Sequence, residues 1–202
     1  MVELDPAIMA RARRGDSTAC RALVDLYSPR VYALIAKILI SSPESVDDVA
    51  QESFIKILTH LRRFDPQSPA PLGAWISTIA ARTALDSLRK SRRLRLVIAE
   101  PSDGLDTPSP EVPPDELIDA QRLGERVASA MGELAPEYRA ALLLRVEHDL
   151  EYPEIARALG IDIGTVKSRI SRARSRLRAA LQDLRERSPR PSLRISPAGS
   201  SS

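Results

Sequence analysis

The chain has 202 residues, a formal net charge of +3, 43% hydrophobic residues and only 3% aromatic residues. This hydrophobic content suffices for one domain or two small ones, with cores that aliphatic side chains must fill. The single cysteine, Cys20, excludes an internal disulfide and a cysteine-based zinc site. The sequence has neither a bilayer-spanning apolar run nor the apolar segment of a signal peptide, so we expect a cytoplasmic protein without membrane contact.

The N-terminal part predicts two helices. A short one covers residues 5–14 and ends at Gly15, and a longer one starts after Asp16, whose carboxylate can cap it. Pro29 lies inside the longer pattern and restricts the residue before it, so we expect a kink or break near Ser28.

A third helix is predicted from Ser42-Pro43 to about Leu61, because a cap followed by proline is typical of a helix start. One of its faces is apolar. The opposite face carries Asp48, Gln51, Glu52 and Ile55 at helical spacing. Spacing alone favours a solvated polar face over a partner-binding one.

A fourth helix is predicted from Leu72 to about Arg93, with Trp75 as a core aromatic residue. Its end is basic, because residues 82–95 contain six bases and one acid. A solvated helix end and a set of phosphate contacts both fit this charge.

Residues 99–119 contain seven acids, no base and several prolines. Such a segment cannot bury itself, so we expect a flexible linker over residues 96–118. The linker separates a module at 1–95 from a second one at 119–186, and residues 187–202 should form a disordered tail. The predicted fold class is all-α, with two helical modules.

The second module contains the most informative stretch, from Tyr152 to Leu184. Gly160 should end a first helix and Asp162 should cap the next one. That next helix has one apolar stripe, and its other faces are basic. A helix pair of this kind is typical of a DNA-binding helix-turn-helix. The stripe consists of Val166, Ile170, Ala173, Leu177 and Leu181.

Catalytic motifs are missing from the sequence. It has no glycine-rich phosphate loop and no serine- or cysteine-centred nucleophile arrangement. The two histidines, His60 and His148, do not lie at the spacing of metal ligands. We therefore predict that the protein is not an enzyme and needs no cofactor or metal.

Three stretches together resemble the bacterial RNA polymerase sigma factors of the extracytoplasmic-function (ECF) group. They are DDVAQESFIKILTHLRRFD (47–65), AWISTIAARTALDSLRKSRR (74–93) and LAPEYRAALLLRVEHDLEYPEIARALGIDIGTVKSRISRARSRLR (134–178). The resemblance implies that the first module is sigma region 2 and the second is sigma region 4. It also implies an alternative sigma factor that binds core polymerase, opens promoter DNA and initiates transcription.

The same resemblance implies the partners. The outer face of the third helix would bind the β′ clamp helices of core polymerase, which reverses the preference for a solvated face, and the chain would also contact the β flap. Promoter DNA is the other expected partner, and many relatives are held inactive by an anti-sigma factor. The polymerase-binding residues would be Asp48, Gln51, Glu52 and Ile55.

The resemblance assigns DNA contacts to both modules. The basic helix from Ile79 to Arg93, and the loop before it, would engage the minus-ten element, and the helix-turn-helix would enter the major groove at the minus-thirty-five element. Candidates for base-edge contact are Lys167, Ser168, Ser171 and Arg172, whereas Arg169, Arg174 and Arg176 would meet phosphates or neighbouring side chains, and Thr165 would meet a phosphate. In the first module the candidates are Arg82, Arg89, Lys90, Arg92 and Arg93.

Two positions depart from the family pattern. Arg82 stands where many relatives have asparagine, which bears on the preferred minus-ten base. Ser171 stands where some relatives have Phe or Tyr, so an apolar contact to thymine is not expected there.

Two other functions also fit parts of this sequence pattern. A stand-alone helix-turn-helix regulator would bind duplex DNA tightly without polymerase. An adaptor built from two helical modules would show no salt-dependent binding to promoter DNA.

Overall fold

The computed structural model describes residues 3–67, 70–98 and 118–187, and this part of the chain is helical. The predicted all-α fold class is confirmed. Short 3-10 helices at Pro43–Ser45 and Leu61–Arg63 flank the third α-helix. The α-helices are α1 (Pro6–Arg13), α2 (Ser17–Ile38), α3 (Val46–His60), α4 (Leu72–Ile98), α5 (Ile118–Gly132), α6 (Pro136–Val146), α7 (Tyr152–Leu159) and α8 (Ile163–Arg187).

Helices α1 to α4 form the first module around an aliphatic core. The side chains of Leu23, Ile35, Ile57 and Ile76 are fully buried there. Aspartates start the first two helices as predicted: Asp5 accepts a hydrogen bond from the N–H of Ala7, and Asp16 accepts one from that of Ala19. Trp75, predicted as a core aromatic residue, is only partly buried: it packs against the edge of the core, with its ring centroid 5.4 Å from that of Phe64.

Helix α2 runs without interruption through Pro29, so the predicted break near Ser28 is wrong. Helix α2 buries one continuous stripe on both sides of the proline, including Leu23 and Leu34. We infer that the packing of this stripe offsets the backbone hydrogen bond that a proline cannot donate. The Ser28 hydroxyl donates a hydrogen bond to the carbonyl of Val24 at 2.7 Å, one turn back.

Two other predicted helix bounds shift slightly. The third α-helix begins at Val46 and not at Ser42, because residues 43–45 form a 3-10 turn. The fourth continues to Ile98, beyond the predicted end near Arg93. Most of the predicted linker (96–118) and of the predicted tail (187–202) falls on residues 99–117 and 188–202, which lie outside the described residues.

Helices α5 to α8 form the second module. Leu144 of α6, Ile155 of α7 and Val166 and Ile170 of α8 meet in its core, each at most 1% exposed. None of the helices that the structure describes combines the length and the apolar character needed to span a bilayer.

The two modules pack directly against each other. Helix α4 contacts α6 and α7, and α2 contacts α6. The guanidinium of Arg139 reaches from α6 to the C-terminal end of α2, and His148 is buried beside Arg30 and Ser77. The sequence predicted two modules but no contact between them.

Candidate nucleic-acid and polymerase interfaces

The turn between α7 and α8 has the predicted geometry. Gly160 adopts a left-handed conformation with φ of +64°, which favours glycine, and α7 ends there. The carboxylate of Asp162 then accepts a hydrogen bond from the N–H of Thr165 at 3.0 Å. The hydroxyl of Thr165 also donates to this carboxylate, and these two hydrogen bonds lower the pKa of Asp162. The charged cap therefore fixes the first turn of α8.

The predicted apolar stripe of α8 is buried in its first half. Val166, Ile170 and Ala173 are at most 1% exposed, and Leu177 is half-buried. Helix α8 packs against α5, α6 and α7, and the part of its surface that carries Lys167, Ser171 and Arg172 remains exposed.

The candidate base-contacting side chains of α8 share an exposed face near its N-terminus. They are Lys167, Ser168, Ser171 and Arg172, and Arg174 and Arg176 further along are also exposed. Arg169 differs, because it is half-buried and its Nη1 is buried without a hydrogen-bond partner. An exposed basic face on the second helix of a helix-turn-helix is suited to the major groove of DNA.

Thr165 and Ser168 already use their hydroxyl groups within the helix. The Thr165 hydroxyl donates to the Asp162 carboxylate at 2.6 Å, and that of Ser168 donates to the Thr165 carbonyl at 3.0 Å. A phosphate contact by Thr165 would therefore need either its backbone N–H or a rearranged cap.

Tyr138 of α6 contacts the basic face of α8, and the sequence did not single it out. Its hydroxyl oxygen accepts a hydrogen bond from Arg172 Nη1 at 3.3 Å, and the Arg176 guanidinium lies 5.7 Å from its ring centroid. The Arg172 hydrogen bond and the nearby positive charges lower the pKa of Tyr138. The tyrosine therefore holds two arginines on one side of α8. The helical pattern of α6 carries no signal for this contact.

The basic end of α4 is solvent-exposed. Arg89 forms an ion pair with Asp86 at 3.0 Å, one turn earlier. Lys90, Arg92 and Arg93 are exposed on the same helix. This charge distribution is suited to phosphate contacts.

Arg82 of α4 is one of the residues that line a cleft between the modules. The cleft has a volume of about 300 Å³ and is lined by Trp75 and Thr78 from α4 and by Glu154 and Arg157 from α7. The candidate minus-ten residue Arg82 and the first helix of the helix-turn-helix therefore face the same space.

The outer face of α3 is exposed over its whole predicted extent. Asp48, Gln51 and Glu52 are exposed, and Ile55 is 59% exposed. Glu52 pairs with Lys56 at 2.7 Å. Asp48, Gln51 and Ile55, together with Val24, Ser28, Tyr32 and Phe54, line a groove of about 450 Å³. An apolar centre with an acidic rim is typical of a protein-binding surface.

Family models match parts of both helical modules. Residues 23–94 match the family model for sigma-70 region 2, and residues 124–177 match that for sigma-70 region 4. The chain is 30% identical to the ECF RNA polymerase sigma factor SigW of Bacillus subtilis, over 86% of this chain and 95% of that protein. It is 33% identical to the ECF RNA polymerase sigma factor SigE of Mycolicibacterium smegmatis, over 77% of this chain but only 59% of that longer protein.

Two solved structures are similar to this chain over most of its length. CnrH, solved in complex with the cytosolic domain of CnrY, superposes with a TM-score of 0.57 at 27% identity, over 90% of this chain and 99% of CnrH. The sigma factor RpoE of Bartonella quintana, solved in complex with the anti-sigma factor NepR, superposes with a TM-score of 0.61 at 27% identity, over 80% of this chain and 96% of RpoE.

Proposed function

The chain belongs to the ECF group of sigma-70 factors, and from that premise we propose how its two modules divide the work of promoter recognition. As a sigma factor it is a transcription initiation factor that directs promoter recognition by RNA polymerase. The first module (1–95) binds core polymerase and the minus-ten element, and the second (119–186) binds the minus-thirty-five element. The protein performs no chemistry of its own and acts in the cytoplasm.

The exposed basic face of α8 is the observation that carries the DNA-binding half of this proposal. Lys167 and Arg172 are exposed at the start of a helix whose opposite stripe is buried and whose first turn is capped. Long cationic side chains in this position reach guanine edges in the major groove. Ser168 and Ser171 lie beside them, and Arg174 and Arg176 meet phosphates.

In the first module, the exposed bases at the end of α4 contact the minus-ten strand. Arg89, Lys90, Arg92 and Arg93 supply phosphate contacts, and the exposed Arg82 influences which minus-ten base is preferred.

The exposed outer face of α3 is the observation that supports polymerase binding. Ile55 provides an apolar centre for the β′ clamp helices, and Asp48, Gln51 and Glu52 provide the polar rim. The second module additionally contacts the β flap. A stand-alone regulator would have no use for this surface, and the match of residues 23–94 to sigma-70 region 2 favours the sigma factor.

An anti-sigma factor is the third partner that we propose. CnrH and RpoE were solved with CnrY and NepR, respectively, and NepR is an anti-sigma factor. The exposed groove along α3 gives such a partner an apolar surface to cover.

In-vitro transcription with core polymerase tests the assignment of α8. Lys167→Ala and Arg172→Ala should each reduce initiation at the chain's own promoters, whereas binding to core polymerase should be unchanged. Arg178→Ala is the matched control, since it removes an exposed arginine of the same helix that is not assigned to DNA. Unchanged promoter choice in both variants would overturn the assignment.

A further inference from the structure

Four arginines lie where the ends of two helices meet in the first module. The 3-10 helix Leu61–Arg63 packs against α1, and two arginine side chains take part in this contact. Arg13 Nη2 donates a hydrogen bond to the carbonyl of Arg62 at 3.0 Å, and Arg62 Nε donates one to the carbonyl of Arg13 at 3.1 Å. Arg14 and Arg63 directly follow these two residues and are exposed. We call the four residues the arginine patch.

No carboxylate neutralises the arginine patch within the described part of the chain. None of the ion pairs described there includes a residue of the patch. The nearest acids in the sequence have other partners, because Asp16 pairs with Arg11 and the carboxylate of Asp65 accepts a hydrogen bond from the N–H of Gln67. Arg13 Nε is buried without a hydrogen-bond partner. The patch therefore concentrates four positive charges that no described group offsets.

Helix ends account for only part of this arrangement. The helix dipole favours a cation near a C-terminus, and Arg13 and Arg62 also donate to carbonyls at such ends. Each of these hydrogen bonds uses only one of the five N–H donors of a guanidinium. The side chains of Arg14 and Arg63 form no hydrogen bond within the described residues. Most donors of the patch are therefore available to an anion.

The composition of the patch favours a phosphate backbone over a protein surface. All of its cations are arginines, whose planar guanidinium binds a phosphate through two parallel hydrogen bonds. The patch has no apolar centre, because the exposed large hydrophobic residues of the described chain lie elsewhere, such as Ile55 on α3. A protein interface needs such a centre, whereas a nucleic-acid backbone needs only the cations.

The patch also lies beside the helix that we assign to the minus-ten strand. Arg63 is followed by Phe64, whose ring packs against Trp75 in the first turn of α4. The basic end of α4 is far from this point: at about 1.5 Å per residue, Arg89 lies roughly 25 Å from Leu72 along the helix. Two basic clusters therefore bracket α4, and one phosphate cannot contact both.

We propose that the arginine patch is a second phosphate-binding site of the first module, for the single-stranded promoter DNA that continues beyond the minus-ten element. One part of the strand contacts the basic end of α4, and a later part contacts the patch. The patch adds affinity that does not depend on base sequence, because phosphate contacts position DNA without reading it. This inference rests on the proposed function, since it assumes that α4 binds the minus-ten strand.

Binding of single-stranded DNA to the holoenzyme at several salt concentrations tests the inference. The probes carry the minus-ten element alone, or the element extended by nucleotides on its upstream or its downstream side. The native holoenzyme should bind one of the extended probes more tightly than the short one. The Arg14→Ala, Arg63→Ala double variant should lose this gain, about tenfold in affinity at about 0.15 M salt, because it removes two phosphate contacts. Its slope of log affinity against log salt should fall by about 1.4 on that probe.

Two control variants show whether the loss comes from charge at the patch. The Arg14→Lys, Arg63→Lys double variant keeps both charges and should retain the salt slope of the native chain. Arg178→Ala removes an exposed arginine of the second module and should change neither affinity nor slope with these probes. Equal affinities and slopes for the native chain and the double alanine variant on every probe would overturn the proposal.

The same measurements separate this inference from its rivals and from the proposed function. If the double alanine variant binds core polymerase less tightly but keeps the native salt slope on DNA, the patch binds protein and the inference is wrong. If the native holoenzyme does not bind the short minus-ten probe, the proposed function fails. If it binds that probe and gains nothing from either extension, only the second phosphate-binding site is excluded.

Discussion

The guanidinium of Arg139 donates a hydrogen bond to the carbonyl oxygen of Ile38 over 2.9 Å, and so joins the second module to the last residue of α2. Burial lowers the pKa of Arg139, and no carboxylate pairs with it among its described hydrogen bonds. Backbone carbonyls alone offset the desolvation of this side chain. A charged side chain therefore lies at the junction of the two modules. An apolar side chain could fill the same space, but it would not form these directional hydrogen bonds.

Arg139→Met should lower the free energy of unfolding by about 2–4 kcal/mol, because it leaves buried carbonyl groups without donors. Urea denaturation followed by circular dichroism measures the change. Arg178→Ala, an exposed control, should stay within about 0.5 kcal/mol of the native chain. A methionine variant as stable as the native chain would show that the hydrogen bonds only repay the cost of burying the charge.

The contact between the two modules should weaken as the pH falls below about 6.5, the ordinary pKa of histidine. Burial, and then the charges of Arg30 and Lys37, lower the pKa of His148 to about 4. An exposed His148 takes up a proton near pH 6.5, whereas His148 buried at the contact does not. The stabilisation of the contact by His148 is therefore fully present above pH 7 and declines on acidification.

Fluorescence energy transfer between the modules measures this effect between about pH 6.5 and pH 5, above the titration range of most carboxylates. Glu147 also lies at this contact, through its pair with Lys37, so lower pH is avoided. His148→Asn should remove the pH dependence, and His60→Asn, which changes the other histidine, should retain it. A flat profile in the native chain would contradict the assignment to His148.

Tyr138→Phe should weaken the affinity of the holoenzyme for promoter DNA by about two- to tenfold, as expected for the loss of one hydrogen bond. The substitution keeps the ring that lies beside Arg176 and removes the hydroxyl that positions Arg172. In an Arg172→Ala background the same change should have almost no further effect, and a filter-binding titration tests both. An additive loss in the double variant would show that Tyr138 acts independently of Arg172.

Ile55→Glu should reduce the affinity for core polymerase by at least about tenfold, because it places a charge at the centre of an apolar contact. Stability should hardly change, since Ile55 is 59% exposed in the free chain. Val146→Glu is a matched control, as Val146 is 58% exposed on the second module. Binding to immobilised core polymerase measures both; equal losses would show that the effect is not specific to α3.

Local features of the sequence predicted the helix-turn-helix well. Gly160 and Asp162 act through their own backbone and the next turn, so their roles depend on neighbours that the sequence displays. The buried stripe from Val166 to Ala173 follows from helical spacing. The match to sigma-70 regions 2 and 4 confirms the family that these motifs indicated.

Non-local features were not predictable in the same way. Pro29 is a local signal for a break, but burial of the apolar stripe along α2 outweighs it. Arg139 and His148 are polar, so periodicity gives no reason to bury them, and only the fold brings them to α2 and α4. Tyr138 meets Arg172 from a different helix. The residue-level DNA and polymerase contacts stay predictions.

Transcription in vitro with core polymerase, followed by mapping of the start sites, tests the central claim most directly. Adding the chain should direct core polymerase to a small set of start sites. Each should be preceded by paired elements at a fixed spacing, and the Lys167→Ala, Arg172→Ala double variant should lose them. Start sites identical to those of core polymerase alone, together with tight and specific duplex binding by the free chain, would contradict it.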